Sequence, residues 1–568
     1  MTNHHPAEQK SRFITKRFPA RHLINALIIL SAASLVMLPI FIQGFPRGSD
    51  IGFHFRWNYY FAEELRQGNL YPRWLAGANH GYGSPVTLYY PPLQFYVTGA
   101  INFLVRDTWR AITLACWLAT ALCGLSMYRF SRASLSRAFS LAAAAMYMWA
   151  PYHLLDLYRG SSLSQYWSAV WIPLVLGATH RVASESGWRA VAYLAFSYGL
   201  LCLTHVPVAF ATTLLLPAYV VVLTRNPRHW LRVAAGLGLG LGISAIFMFS
   251  VVFERPYVTL DAALDQKFAD CYVFEHLGQL RHVRLLANAD YPGLEGYLIE
   301  IDLAAVALVL LLALSLLMIW RARNGSEQRR VWEPFVGASL AVVSLSLFFT
   351  TRASAFVVRH IPFIEYMQCA DRWLVITVAG ASLLFGAAAC ATLRARKRRV
   401  LKIGLLAAAV MLNLLIGIHI TTQTRANPAR LEDRVLQKPD APQYTPVWWN
   451  REWQDNFESA AFVVNNGDAT VTAIRDAGVR QQYALTASTE SVVSFRPLYF
   501  PGWIARLDGK PTPITPGDEG HIQLVIPAGE HTLALAFEDT WPRTMGKIIS
   551  AFSLLLCLVM IYRRRRQL

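Results

Sequence analysis

Apolar residues in this chain gather into long runs separated by short charged segments. Most runs approach the length of about 20 residues that carries a helix through roughly 30 Å of hydrocarbon. Runs at 23–45, 108–130, 138–158, 164–180, 188–204, 206–224, 230–253, 302–320, 334–350, 372–392, 400–419 and 547–562 predict about twelve crossings. A further apolar run, 91–105, is short. Counted as a thirteenth crossing it would carry Arg129, Arg132 and Arg137 to the wrong side, so it reads as re-entrant or interfacial. Basic clusters fall at Lys10, Arg12, Lys16, Arg17 and Arg21, at Arg129, Arg132 and Arg137, at Arg225, Arg228 and Arg232, and at 321–330, 394–399 and 563–566. Placing all of them inside gives one consistent path with both termini cytoplasmic. The first run lacks a small-residue cleavage site and reads as an uncleaved anchor.

Three loops then face outward, at 44–108, 254–300 and 351–371. Between 421 and 546 the helical period is lost. Strand-like stretches take over at 468–474, 481–487, 491–500, 503–507 and 521–526, punctuated by Asp508-Gly509, Pro516-Gly517 and Pro527-Ala528-Gly529. The predicted fold is an α-helical polytopic membrane protein with a small extracytoplasmic β-sandwich domain. Its parts are a cytoplasmic basic leader at 1–22, a transmembrane domain at 23–420, the β-sandwich at 421–546, and a last helix with a basic tail at 547–568.

Composition agrees, with 54% hydrophobic and only 15% charged residues. The net charge of +18 is accounted for by topology rather than by a nucleic-acid partner. Of the seven cysteines, Cys116, Cys123, Cys202, Cys390 and Cys557 lie within apolar runs at no metal-ligand spacing, while Cys271 and Cys369 fall in outward loops where they could pair. The glycine run from Gly236 to Gly242 sits inside an apolar span and predicts close helix packing, not a phosphate loop. No Walker or dinucleotide motif is present.

Chemistry concentrates on the outward face. The first loop opens Arg47-Gly48-Ser49-Asp50-Ile51-Gly52-Phe53-His54. On a helix starting near Ser49, Asp50 and His54 share one face. They read either as a general base with its orienting partner, as the holders of a divalent metal, or as a plain helix cap. Trp74, His80, Tyr89 and Tyr90 follow in a loop rich in Gly, Pro and aromatic rings, which either stack on sugars or form an interfacial belt. Further ionisable candidates are His153, Asp156 and Arg159; His205; Glu254 and Arg255; Glu275 and His276; and Arg352, Arg359 and His360. Gln368, Asp371 and Arg372 open the next helix, where a cation at headgroup depth suits a lipid phosphate.

Several motifs together resemble the bacterial 6-pyruvoyl-tetrahydropterin-synthase-related membrane proteins, which look like GT-C-type glycosyltransferases. They are Gly48-Ser49-Asp50 with His54, Tyr89-Tyr90-Pro91-Pro92-Leu93, Leu203-Thr204-His205, Gln368 with Arg372-Trp373, Tyr499-Phe500-Pro501-Gly502-Trp503, Asp508-Gly509-Lys510, and Pro527-Ala528-Gly529-Glu530-His531. The resemblance implies inverting transfer of a sugar from a polyprenyl phosphate to an extracytoplasmic glycan, lipid or protein acceptor, in the bacterial inner membrane with the site facing the periplasm. It puts Asp50 at the catalytic centre beside His54. It implies Arg372, Arg159, Arg255 and His205 as contacts for the donor phosphate or lipid, and Tyr89, Tyr90, Trp74, His80 and Gln368 as acceptor or sugar contacts. No cofactor follows from it, and a divalent metal at Asp50 and His54 stays open. Cys369-Ala370-Asp371 departs from the relatives, which more often carry an aromatic residue and a proline before the arginine. Two other readings compete: a lipid-linked glycan flippase, disfavoured by the lack of internal repeats and by charges gathered on one face, and a scaffold for a partner glycosylation enzyme.

Overall fold

A computed structural model describes residues 20–185, 187–260, 272–277, 294–321, 326–394, 399–422, 435–436, 438–450, 461–475 and 478–562. Lys10, Arg12, Lys16 and Arg17, Cys271, the tail from 563, most of the loop at 254–300, and parts of the basic clusters at 321–330 and 394–399 lie outside the described residues. The helices are α1 (Ala20–Gln43), α2 (Ile51–Arg66), α3 (Leu93–Val105), α4 (Thr108–Ser131), α5 (Arg137–Met148), α6 (Pro151–Leu155), α7 (Leu163–Ser168), α8 (Ile172–Ser184), α9 (Trp188–Cys202), α10 (Val206–Leu223), α11 (Pro227–Glu254), α12 (Leu294–Arg321), α13 (Ser326–Thr350), α14 (Ala355–Val358), α15 (Leu374–Arg394), α16 (Arg399–Thr422) and α17 (Trp541–Tyr562).

Among the described residues, eight helices are long and apolar enough to cross a membrane, or nine if the pair Pro334–Thr350 and Arg352–Val358, bent by 92°, counts as one span. Helices also form in the predicted runs at 138–158, 164–180 and 188–204, but they are shorter: α5, α8 and α9 have 12, 13 and 15 residues. Proline explains two of the interruptions. Pro151 and Pro173 lack the N–H that an uninterrupted helix needs, and each sits in the first turn of a new helix. The apolar run at 91–105 becomes α3, whose 13 residues reach only about 20 Å. It ends at Arg106 in the left-handed region. The glycine run packs helices as expected, because a Cβ on Gly240 would lie 2.9 Å from the Ala195 carbonyl of α9, and one on Gly242 would overlap Ser553 of α17.

Residues 462–537 form two antiparallel sheets. One has strand order β1-β4-β8-β7 and the other β2-β3-β9-β5-β6, with β1 (Phe462–Asn466), β2 (Ala469–Arg475), β3 (Arg480–Ala487), β4 (Ser491–Leu498), β5 (Trp503–Leu507), β6 (Lys510–Thr512), β7 (Thr515–Pro516), β8 (His521–Ile526) and β9 (Gly529–Phe537). Alternation specifies the inner faces: Tyr483, Leu485 and Ala487 of β3 and Leu533 and Leu535 of β9 are buried, as are Val493 and Phe495 of β4 and Ile522 and Leu524 of β8. The tight β5–β6 hairpin turns at Asp508 (φ 50°) and Gly509 (φ 79°), where Asp-Gly fits a turn with both central residues at positive φ. Strands β1, β6, β7 and β9 are not predicted by the sequence pattern. The most consequential is β9, which lies between β3 and β5 at the centre of its sheet.

The sandwich is locked to the membrane helices by a buried ion pair. Glu254, at the end of α11, receives the Arg543 Nε–H of α17 at 3.0 Å, and both side chains are almost wholly enclosed. Thr540 Oγ1 donates to the other carboxylate oxygen at 2.6 Å. Arg543 spends its remaining donors on the β-domain, at Pro501 O (2.7 Å) and Glu538 O (3.1 Å), with its guanidinium 4.8 Å from the Phe537 ring centroid. Gly502 makes this possible. It sits at φ 115°, and a Cβ there would lie 2.4 Å from Arg543 Nη1. Tyr89 of the first loop donates to the Glu254 carbonyl at 2.7 Å, and Trp74 packs among Phe500, Trp503 and Phe537 at centroid distances of 5.3 to 5.9 Å.

Removing one member of a buried pair strands the other, at a cost of about 3–5 kcal/mol. Arg543→Ala is therefore expected to lower the melting temperature of the purified protein sharply and to expose 461–540 to protease. The double variant Glu254→Gln with Arg543→Met, which leaves no lone charge, is expected to regain most of that loss in the same melt. Gly502→Ala is expected to destabilise the junction without removing any hydrogen-bonding group.

Candidate active site

The first loop reaches its site through backbone hydrogen bonds. Between α6 and α7 the chain widens into a π-helical turn at 156–160 and then passes through Ser161 in the left-handed region. That geometry turns the carbonyls of Arg159 and Gly160 toward the start of α2. Ser49 N–H donates to Arg159 O and Asp50 N–H to Gly160 O, both at 3.0 Å, while Ser49 Oγ also donates to Gly160 O at 2.8 Å. Gly48 permits the approach, since a Cβ there would lie 1.9 Å from Ser161 Oγ.

Asp50 stands at the N-terminus of α2 without capping it by its side chain. Its half-buried carboxylate instead receives Ser162 Oγ–H at 3.0 Å. The capping reading is therefore set aside, and the carboxylate points toward the turn at 160–162.

Tyr90 and Tyr444 lie within the influence of both Asp50 and Arg372, and His205 within that of Arg372. Burial pushes the Tyr90 phenol up, Asp50 adds to that, and Arg372 opposes it. The Tyr444 phenol is likewise pushed up by burial, and it too feels both Asp50 and Arg372. Burial holds the His205 imidazole well below its usual range, reinforced by Arg372 and then His54. Both phenols thus feel the Asp50 carboxylate and the Arg372 guanidinium, and Arg372 also acts on the adjacent Asp371. Arg372 is fixed by Gln368, whose Oε1 accepts Nη2–H at 2.7 Å. Gln368 adopts φ 61° and ψ −49°, a conformation that costs a residue with a Cβ about 1–3 kcal/mol. The strained turn thus presents the amide to the cation. Behind it lies a buried polar chain: Tyr152 O–H to Asp371 Oδ2 (3.0 Å), and Gln165 Nε2 to both Tyr152 Oη (3.1 Å) and Asp156 Oδ1 (2.8 Å).

Other expected residues serve other ends. His54 is 1% exposed, packed edge-on against Trp57 and Tyr90, with Nε2 at 3.4 Å from Tyr90 Oη and Nδ1 buried without a partner. Burial holds it neutral, with a pKa lowered to about 3. Arg159 is spent on Glu300 of α12, Nη2 to Oε1 at 2.7 Å, both enclosed, so its charge is matched inside the protein. Arg255 donates to Tyr366 Oη and lies over that ring. Trp74 and Tyr89 are buried beneath the β-domain and offer no free face for a sugar. His80 is exposed, at φ 59°, in the same loop. Among the described residues no group of three His, Cys, Asp or Glu side chains converges as a metal site.

Sequence reasoning overlooked Ser162, Gln165, Tyr152, Tyr444 and Asp440. Asp440 ties the loop down, accepting Trp57 Nε1–H at 2.6 Å and Ser84 Oγ–H. Ser161-Ser162 beside the Gly160 turn was the one local signal available; Tyr444 and Asp440 come from a segment hundreds of residues away.

Residues 87–425 match the model of the 6-pyruvoyl-tetrahydropterin synthase related domain, a membrane protein family. A protein of Lactococcus lactis subsp. cremoris, uncharacterized, is 23% identical over 239 residues, which are 40% of this chain and 39% of the relative. The match thus spans about two-fifths of that curated relative. Similar solved structures include the arabinofuranosyltransferase AftD from mycobacteria (15% identity, TM-score 0.45, 70% of this chain and 27% of that one). The Archaeoglobus fulgidus oligosaccharyltransferase in its apo form gives 13% identity and a TM-score of 0.42, over 74% of this chain and 60% of that one. ArnT from Cupriavidus metallidurans bound to undecaprenyl phosphate gives 14% and 0.38, over 74% and 77%. At this level they are likenesses of fold alone. The matched family model covers more than half of the 568 residues, and the chain belongs to the 6-pyruvoyl-tetrahydropterin synthase related family of membrane proteins.

Proposed function

We propose that the chain is a membrane glycosyltransferase that moves a sugar from a polyprenyl-phosphate donor to an acceptor hydroxyl or amide at the Asp50 face, with inversion, in the bacterial inner membrane with that face outward. The observation that carries this reading is that Asp50, at the N-terminus of α2, and Arg372, in the turn that leads into α15, act on the same two phenols, Tyr90 and Tyr444. A lipid-linked donor is confined to the bilayer and presents its phosphate at headgroup depth, where such a pair can meet it.

In this reading the acceptor oxygen or nitrogen attacks the anomeric carbon from the face opposite the phosphate. Asp50 accepts the acceptor's proton, with Ser162 holding the carboxylate in line. The bond between the anomeric carbon and the phosphate oxygen breaks, and its electron pair leaves with polyprenyl phosphate. Arg372, aimed by Gln368, balances the charge that develops there. His205, kept neutral beside Arg372, is a hydrogen-bonding contact for the same group. His54 does not serve as the base. It forms the wall that fixes Tyr90, and Arg159 acts through its backbone carbonyl.

Asp50→Asn keeps the size and the Ser162 contact but loses the basic oxygen. It is expected to lower sugar transfer in reconstituted vesicles by at least about 100-fold while donor binding persists. Transfer at the unaltered rate would remove Asp50 from the mechanism, and translocation of the lipid-linked sugar without a glycosidic product would establish a flippase instead. Arg372→Lys retains charge without the planar fork and is expected to fall between wild type and Arg372→Ala in donor KM.

A second expectation concerns pH. The unfolded chain protonates His54 below pH 6.5, whereas the folded chain refuses the proton down to about pH 3. Folding stability is therefore intact above pH 6.5 and declines as pH falls, by about 1.4 kcal/mol per unit from this residue. His54→Gln is expected to flatten the pH dependence of the melting temperature between 6.5 and 3. A slope unchanged by the substitution would show that His54 is protonated in place.

A further inference from the structure

On the face opposite Asp50, the inner ends of α4 and α8 with the flank of α9 leave a groove of about 220 Å³. Arg129, near the end of α4, lies about 32 Å along the helix from Thr108, whose neighbour Trp109 stacks on Phe55 of α2 at 4.3 Å, close to Asp50 in sequence. The groove has an apolar floor that includes Phe130, Leu174 and Phe196, and its rim carries Arg129 and Arg181. Gly177 sets its width, because a Cβ there would already be within 3.2 Å of Phe130.

The two rim arginines differ from their neighbours. Arg132 donates to the Leu135 carbonyl and Arg137 to Asn25 Oδ1, so both are spent on the protein. Arg129 is exposed, Arg181 half-buried, and among the described residues neither side chain makes a hydrogen bond or ion pair to the protein. One acidic group, exposed Glu185, stands a turn beyond Arg181. His180, on the same wall, packs edge-on against Phe335 and keeps Nδ1 buried without a partner. The site therefore offers two guanidinium groups from separate helices above an apolar trough, against one carboxylate.

We propose that this groove binds an anionic phospholipid of the leaflet opposite the Asp50 face, with the headgroup phosphate on Arg129 and Arg181 and an acyl chain along Leu174 and Phe196. Guanidinium forks match phosphate oxygens, and an apolar trough at that depth matches a lipid tail rather than a soluble anion. Toward the Asp50 face the trough is closed by Trp171, whose indole N–H is tied to Thr204 Oγ1 at 2.8 Å. The tail stops there, short of His205. The site is thus separate from the donor site and does not depend on the transferase reading.

The test uses the full chain in neutral detergent, followed by thermal melting and by lipid retention in native mass spectrometry. Dioleoyl phosphatidylglycerol is expected to raise the melting temperature saturably, while dioleoyl phosphatidylcholine and inorganic phosphate do not. Arg129→Gln with Arg181→Gln, both away from the packed interior, is expected to weaken phosphatidylglycerol binding roughly 30-fold. Gly177→Leu keeps both charges, fills the trough, and is expected to abolish the saturable shift. An equal response to phosphatidylcholine, or phosphatidylglycerol binding undiminished in the double arginine variant, would overturn the proposal. So would undiminished binding in Gly177→Leu, checked by native mass spectrometry on protein that melts normally without lipid.

Discussion

The enclosed contact between Glu254 and Arg543 joins every part of the molecule that bears on the site. Glu254 closes α11, and its carboxylate takes Arg543 of α17 and Thr540 from the linker after β9. Arg543 in turn holds the carbonyls of Pro501 and Glu538 in the sandwich. The Glu254 carbonyl receives Tyr89, so the residue next in sequence, Tyr90, is delivered to His54 and to the space beside Asp50. A charge pair this dry is weak evidence of net stabilisation, because desolvation offsets most of its attraction. Its consequence is geometric: neither partner can move alone without leaving an uncompensated charge.

A second constraint works within the membrane domain. The turn at 156–160 is anchored by Arg159 to Glu300 of α12, and its free carbonyls bind the backbone that precedes α2. The Asp50 carboxylate is thereby set by main-chain hydrogen bonds on one side and Ser162 on the other. Arg372 is set from a different helix by the strained Gln368. The two charged groups are held from separate segments, and both act on Tyr90 and Tyr444.

Much of the architecture was legible because it follows from periodicity. Long apolar runs named all eight helices that, among the described residues, are long enough to span, strand-like stretches named β2, β3, β4, β5 and β8, and Asp508-Gly509 named a turn. Strand β9 was missed because Pro527-Ala528-Gly529 reads as a turn and polar Glu530, His531 and Thr532 follow it, although pairing on both sides draws Gly529–Phe537 into a central strand. Asp50 and Arg372 were singled out by motif resemblance and by their place at helix ends, and both act on Tyr90 and Tyr444. Arg159 was misleading for a physical reason: a cation near a membrane interface looks like a ligand until its partner, 141 residues away, is known. Trp74 misled in the same way, since nothing local distinguishes a ring that stacks on a sugar from one that seats a domain.

The β-domain bears on how substrates enter. Swinging it away from the membrane helices would separate Glu254 from Arg543 and would strip Trp74 of Phe500, Trp503 and Phe537, exposing four large rings at once. Domain opening is therefore a poor route to the site, and the sandwich acts as a fixed wall over the first loop. Arg372, by contrast, is held by a short segment, the turn through Phe363 and Gln368, both at positive φ, whose strain is offset by the bond that Gln368 makes to the guanidinium.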